Sequence, residues 1–221
     1  MSNELLFLGH IVVVIAFLLV ALRLGKEALF AFISIMVVFA NLFLLKQIDF
    51  FSFTITAADV FAIGAMLGLN LLQEYHGKKA ATKAITISFV SLLLFMSMAT
   101  IHLLYRPSSF DTAHSAYATL LRPAPRIVLA SLIVFYITQK IDVAFFALLQ
   151  KAFSKRWLSL RILISLFVTQ GIDTFLFSFA ALYGLVANIF DIIVMSFLIK
   201  LLVVLLSTPL TLFIRRRLVP V

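Results

Sequence analysis

The chain has 221 residues, of which 64% are hydrophobic and 12% are charged. Soluble domains normally carry about a quarter charged residues, so this composition excludes a soluble enzyme and a disordered chain, and the absence of cysteine excludes a disulfide-stabilised secreted module. A mean hydropathy of +1.18 instead indicates an integral membrane protein embedded in the lipid bilayer.

Seven apolar stretches are long enough to cross about 30 Å of hydrocarbon as α-helices of roughly 20 residues. They are continuously apolar rather than alternating, which disfavours the strands of a β-barrel. The sequence therefore predicts an all-α bundle of seven transmembrane helices that forms a single domain over residues 1–221. The stretches lie at residues 5–22, 28–45, 57–75, 84–105, 126–150, 160–183 and 187–214.

Basic residues between these stretches predict the orientation of the chain. The connections after the first, third and fifth stretches and the C-terminal segment hold twelve Lys and Arg, whereas the alternate connections hold four. Since basic residues favour the cytoplasmic side, we expect the N-terminus outside and the C-terminus in the cytoplasm. This asymmetry explains most of the net charge of +9 without a nucleic-acid partner. The connection 106–125 contains three prolines and is expected to be an outer loop that caps the bundle.

Four charged residues fall inside the predicted helices, where a central charge costs roughly 2.5–3.5 kcal/mol on insertion scales. They are Lys140, Asp142, Asp173 and Lys200. Asp173 and Lys200 lie at nearly the same depth when counted from the cytoplasmic end, which predicts an ion pair between helices six and seven. That pair is either a structural lock or part of a ligand site. The role of Lys140, which lies off the polar face of its helix, stays open.

Amides and carboxyl groups recur together on two helix faces. Gln139 and Asp142 on helix five, and Gln170 and Asp173 on helix six, are three residues apart and therefore share a face. Such faces either join helices to one another or bind a flat heterocycle, whose N–H groups pair with carboxylates while its ring stacks on an aromatic side chain such as Phe135. Further candidates are Asn41 on helix two and Asn70 and Glu74 on helix three.

The remaining polar residues carry weaker indications. Asp59, Asp191 and the four histidines are expected at interfaces or in loops, and no histidine pair has metal-ligand spacing, so no metal site is predicted. The chain lacks a P-loop, a G-x-S-x-G and an H-E-x-x-H motif, so we expect no ATP hydrolysis, no enzymatic activity and no cofactor. The alternatives from other classes are an intramembrane enzyme that uses paired carboxylates and a purely structural membrane protein.

Several polar motifs occur in an order that extends over nearly the whole chain. They are Leu24-Gly-Lys-Glu-Ala-Leu-Phe, Asn41, Asn70-Leu-Leu-Gln-Glu-Tyr-His-Gly-Lys-Lys-Ala-Ala-Thr-Lys-Ala-Ile85, Arg126, Gln139-Lys-Ile-Asp142, Thr169-Gln-Gly-Ile-Asp-Thr174, Lys200 and Pro209. In this order they resemble the family of bacterial queuosine precursor transporters, also called the vitamin uptake transporter family. The chain departs from the family pattern at Asn70, where many relatives have an acid, and this change bears on the preference for a cationic ligand.

The resemblance implies import of 7-deazaguanine bases across the bacterial inner membrane for tRNA queuosine: preQ0, preQ1 or queuine. It also implies a six-helix core similar to the substrate-binding subunits of energy-coupling-factor transporters, with helix one as an addition. We expect the base to bind in a mid-membrane cavity between helices two, three, five, six and seven. The alternative is a binding subunit that works only with an ATP-driven module, and a homodimer is left open.

Overall fold

The computed structural model describes residues 2–152 and 158–202 of the chain. Within the described residues, helices overlap all seven apolar stretches, and a short β-hairpin separates the second helix from the third. The elements with their bounds are α1 (Asn3–Leu24), α2 (Lys26–Leu42), β1 (Gln47–Phe50), β2 (Phe53–Thr56), α3 (Asp59–Leu104), α4 (His114–Leu121), α5 (Ala124–Ala152), α6 (Leu158–Phe177) and α7 (residues 189–202).

The described helices are those of a membrane protein. Three helical segments within the described ranges are long and apolar enough to cross a bilayer, namely Asn3–Leu24, Lys79–Leu104 and His114–Thr138. Leu8, Val12 and Phe17 on α1 are exposed, which in water would be a costly apolar surface. The fold is therefore that of a polytopic helical membrane protein.

Helix α3 is broken into two arms at Gly77, whose φ of 79° and ψ of 171° lie in a region that favours glycine. Gly68, nine residues before the break, lies against Ile33 of α2, and Ser88, eleven residues after it, lies 3.4 Å from Ser34 of α2. Because residues on both sides of the break reach the same turn of α2, the arms fold back on each other. We call residues 59–76 the first arm and residues 78–104 the second arm.

Small residues bring α1 and α2 directly onto the first arm. A Cβ atom placed on Gly64 would lie 2.6 Å from Val14 Cγ1 and 3.1 Å from Met36 Sδ, and one on Gly68 would lie 3.0 Å from Ile33 Cγ1. A larger side chain at either glycine would therefore push the helices apart. The core around this contact contains the fully buried side chains Leu18, Leu29, Leu71 and Leu72.

The β-hairpin is a feature of this helical fold that the predicted all-α bundle did not include. Its strands pair antiparallel with Phe50 opposite Phe53, and the two residues of the turn, Phe51 and Ser52, have positive φ values of 45° and 67°. Turns of this kind normally use Asn-Gly or another glycine-containing pair. Because Phe-Ser contains neither glycine nor asparagine, its residue types do not predict a turn here.

Hydrogen bonds tie the hairpin to two helices at one end of the bundle. The Phe51 backbone N–H donates to the Glu4 carboxylate of α1 at 3.1 Å. On the other side, the Thr54 N–H donates to the Asp191 carboxylate of α7 at 3.2 Å. The starts of α1 and α7 therefore lie at the same end as the hairpin.

Arg126 binds the C-terminal end of α6, at the same end of the bundle as the hairpin. After Phe177 the helix continues as a π-helical turn over Ser178–Leu182. Arg126, near the start of α5, donates from Nε to the Ala180 carbonyl at 3.0 Å and from Nη2 to the Tyr183 carbonyl at 2.8 Å. The connection 106–125 precedes this arginine, and it contains α4 where the sequence predicted a loop.

Candidate functional site

A cavity of about 310 Å³ lies between α2, both arms of α3, α5, α6 and α7. Its volume is at the lower end of the range for small-molecule pockets, which runs from roughly 300 to 1,000 Å³. Most of the wall is apolar, and ten described polar or charged residues interrupt it. They are Asn41, Thr56, Asp59, Ser88, Ser131, Asp173, Thr174, Ser178, Ser196 and Lys200.

The cavity occupies the half of the bundle nearest the hairpin. Along the first arm its lining runs from Asp59 to Leu69, a distance of about 15 Å at the α-helical rise. Leu44 and Thr56, beside the two ends of the hairpin, also line it. The cavity is therefore about half as long as the hydrocarbon core of a bilayer, roughly 30 Å, is thick.

The ion pair predicted between helices six and seven is confirmed. Lys200 Nζ lies 3.0 Å from Asp173 Oδ2 and 3.1 Å from Thr174 Oγ1, so the ammonium bridges two consecutive residues of α6. The Lys200 side chain is 16% exposed and the Asp173 side chain is 27% exposed, and both line the cavity. The pair thus presents charge to the cavity, while its contacts hold α6 to α7.

A second carboxylate in the cavity wall is Asp59, which the sequence placed at an interface. Asp59 is 8% exposed and accepts a hydrogen bond from Ser196 Oγ of α7 at 2.8 Å. Asp59 is buried instead of lying in a loop because α3 begins level with Ser196, further along α7 than the hairpin. Thr54 is level with Asp191 near the start of α7, and the chain descends from there before Asp59 begins its helix.

Asn41 and Phe135, both expected at the site, line the cavity from α2 and α5. Ser131 Oγ donates to Asn41 Oδ1 at 3.1 Å, and Asn41 Nδ2 donates to the Val37 carbonyl at 2.8 Å, so the amide is held in one orientation. The Phe135 ring meets the Phe89 ring at 84° with centroids 4.9 Å apart. This edge-to-face contact fixes the ring planes of two aromatic walls.

Two expected site residues lie away from the cavity in the structure. Asn70 is exposed, because it follows the cavity residue Leu69 and adjacent helical residues point about 100° apart. Gln170 is half-buried and lies one turn from Asp173, beyond the end of the described lining. The described lining on α6 ends at the level of the ion pair.

The side chains of three further expected residues, Glu74, Gln139 and Asp142, lie outside the described part of the structure. Lys140 is exposed, and its Nζ lies 5.5 Å from the centre of the Tyr136 ring, a cation–π contact on the outside of α5. In the described ranges, no three His, Asp or Glu side chains are grouped so that they could hold a metal ion.

Comparisons with known proteins agree with the family that the sequence resembles. The family model described as "Putative vitamin uptake transporter" matches residues 56–214. A protein of Bacillus subtilis (strain 168) named "Probable queuosine precursor transporter" is 34% identical over 188 residues, which cover 84% of this chain and 82% of that protein. No solved structure matches the chain. The chain belongs to the vitamin uptake transporter family, and it is accordingly a multi-pass membrane transporter of a small molecule and not an enzyme.

Proposed function

We propose that the chain imports queuosine precursors, that is 7-deazaguanine bases such as preQ0, preQ1 or queuine, and binds them in the cavity described above. The name of the Bacillus subtilis relative supports this class of substrate. The observation that carries the proposal is the wall itself, which combines an ion pair, a fixed amide and oriented aromatic rings around one small space.

A deazaguanine suits these groups because its edge has adjacent N–H donors and a carbonyl acceptor. Asp173 accepts from the donors, while its other contact is the ammonium of Lys200 at 3.0 Å. Asn41, with one amide hydrogen not used by Val37, donates to the carbonyl. The flat ring packs between apolar walls that include Phe135 and Phe89.

The proposed arrangement in the membrane has seven spans, with the N-terminus outside and the C-terminus in the cytoplasm. The distribution of basic residues supports this orientation. In this orientation the hairpin and the nearby cavity lie toward the outside. In the described residues, α1 packs on α2 and α3 but contributes nothing to the lining, which supports a six-helix core with α1 as an addition.

Uptake by the purified chain in liposomes tests this function. Labelled preQ0 should enter liposomes that contain the chain alone, and excess unlabelled preQ1 or queuine should compete with it. A binding subunit of an energy-coupling-factor importer, the alternative, would bind the base and transport nothing without its ATP-driven partners. Failure of both transport and binding would exclude the two functions together.

The Asp173→Asn variant tests the site. It removes the charge that receives the N–H groups of the base, so uptake should fall at least tenfold while the protein remains in the membrane. Asp49→Asn is the matched control, because Asp49 is an exposed acid of β1 outside the described cavity lining. Unchanged uptake in Asp173→Asn would remove this carboxylate from the site.

A further inference from the structure

The charges in the cavity wall do not balance. Asp59, Asp173 and Lys200 are the charged side chains in its described lining. Lys200 pairs with Asp173 at 3.0 Å, whereas Asp59 has no basic group within 4.0 Å in the described part of the chain. With all three groups ionised, the described wall therefore carries one excess negative charge, located at Asp59.

The elements packed around Asp59 offer few charged groups that could neutralise it. From α7, Ser196 donates a hydrogen bond and Lys200 attracts the carboxylate from beyond contact distance. Asp173 of α6 adds a second negative charge to the same cavity, and Asn41 of α2 and Ser131 of α5 are uncharged. On the outer sides lie Asp191, bound to the hairpin, and His10 of α1, whose ring packs on Phe61.

Water in the cavity decides whether the Asp59 charge is tolerated. The N-terminus of α3 and the Lys200 ammonium stabilise the carboxylate, since both present positive potential to it. Removal of water acts in the opposite direction, because an ionised group without a contacting cation is expensive in an apolar space. The Ser196 hydroxyl serves both states, since it donates to a carboxylate and accepts from a carboxylic acid.

We propose that Asp59 is a proton-binding site that couples import to the proton gradient. This inference rests on the proposed function. A neutral base that fills the cavity displaces water, and a proton from the outer solution then binds a carboxylate oxygen of Asp59. When the cavity opens to the cytoplasm and water returns, the O–H bond breaks and the proton leaves with the base. One proton thus enters with each neutral base.

Two measurements on liposomes that contain the purified chain test the coupling, with preQ0 as the neutral probe. The first is exchange of labelled for unlabelled preQ0 at equal pH, which needs no net proton movement. The second is acidification of the interior during preQ0 uptake, read by a trapped pH-sensitive dye with the outside acidic. The wild-type chain should perform both.

The Asp59→Asn variant keeps an oxygen that accepts from Ser196 but binds no proton. We expect exchange within about threefold of the wild type, because the proposed contacts with the base are made by other groups of the wall. Acidification should fall at least tenfold. Asp49→Asn, which changes an exposed acid of the hairpin in the same way, should leave both measurements unchanged.

The outcomes separate the two proposals. Absence of exchange by the wild type overturns the proposed function, and the coupling falls with it. Exchange without acidification by the wild type, or acidification by Asp59→Asn equal to that of the wild type, overturns the coupling alone. If folded Asp59→Asn loses exchange, Asp59→Glu decides: exchange with acidification supports the proton site, and exchange without it contradicts the site.

Discussion

Ser196 and Lys200 lie one turn apart on α7, and each binds a carboxylate of a different helix. Ser196 Oγ donates to Asp59 at 2.8 Å, and Lys200 Nζ donates to Asp173 at 3.0 Å. One face of α7 therefore joins the first arm of α3 to α6 across the cavity. Movement of α7 would change the surroundings of both carboxylates together.

Replacing Lys200 by Met should destabilise the protein by about 1–3 kcal/mol, because it leaves the half-buried Asp173 carboxylate without its partner. The double variant Asp173→Asn with Lys200→Met removes both charges and should recover most of that loss, but it should not recover uptake. Thermal unfolding in detergent and uptake in liposomes measure the two effects. A double variant no more stable than Lys200→Met would show that the charge imbalance is not the cause.

Gly64→Ala should lower the free energy of unfolding by about 1–3 kcal/mol, since the new Cβ would lie 2.6 Å from Val14 and must separate α1 from α3. Gly9→Ala is the matched control on α1, where a Cβ meets no atom within 4 Å. That variant should be stabilised by roughly 0.5–1 kcal/mol through helix propensity. Equal unfolding temperatures for the two variants would contradict the close contact of the helices.

Arg126→Gln should destabilise the end of α6 by about 1–2 kcal/mol, because two carbonyls of the π-helical turn and the residue after it lose a charged donor. Hydrogen exchange should become faster around residues 180–185 before it does elsewhere. The neighbouring Arg122 makes no side-chain hydrogen bond within the described ranges, so Arg122→Gln should change little. The interpretation fails if both variants behave alike.

The sequence contains no cysteine, so single cysteines report the orientation directly. Phe110→Cys, at a position 92% exposed between α3 and α4, should react with a membrane-impermeant maleimide in intact cells. Lys79→Cys, beside the break in α3, should react only after the membrane is permeabilised. The reverse pattern would place the N-terminus in the cytoplasm.

Part of the site follows from counting along helices. Counting along regular helices predicted Asp173 and Lys200 at one depth, and their side chains do meet. The position of Phe135 on a polar face likewise predicted its place in the wall. Regular helical geometry links sequence position to depth and direction, so such residues can be located without a structure.

The positions of three other residues, Asp59, Asn70 and Gln170, depend on features that this geometry does not determine. Asp59 is buried because the chain turns into the bundle after the hairpin. The turn at Phe51 and Ser52 contains no glycine, so the hairpin was not predicted. Asn70 and Gln170 lie outside because the edges of the cavity depend on how several helices pack, which one helix alone does not reveal. The periodicity of polar residues predicts which face of a helix is polar. Tertiary packing determines which part of that face lines the cavity.

The break at Gly77 limits how the cavity can change its width. Both arms of α3 contribute to the wall, and a single residue connects them, without a loop that could extend. Sliding of one arm past the other by a helical turn would require about 5.4 Å of additional chain, which this connection does not contain. Relative motion of the two arms is therefore confined to rotation about the dihedral angles of one glycine, and that rotation alters the separation of Asp59 and Ser88 more than that of residues beside the pivot.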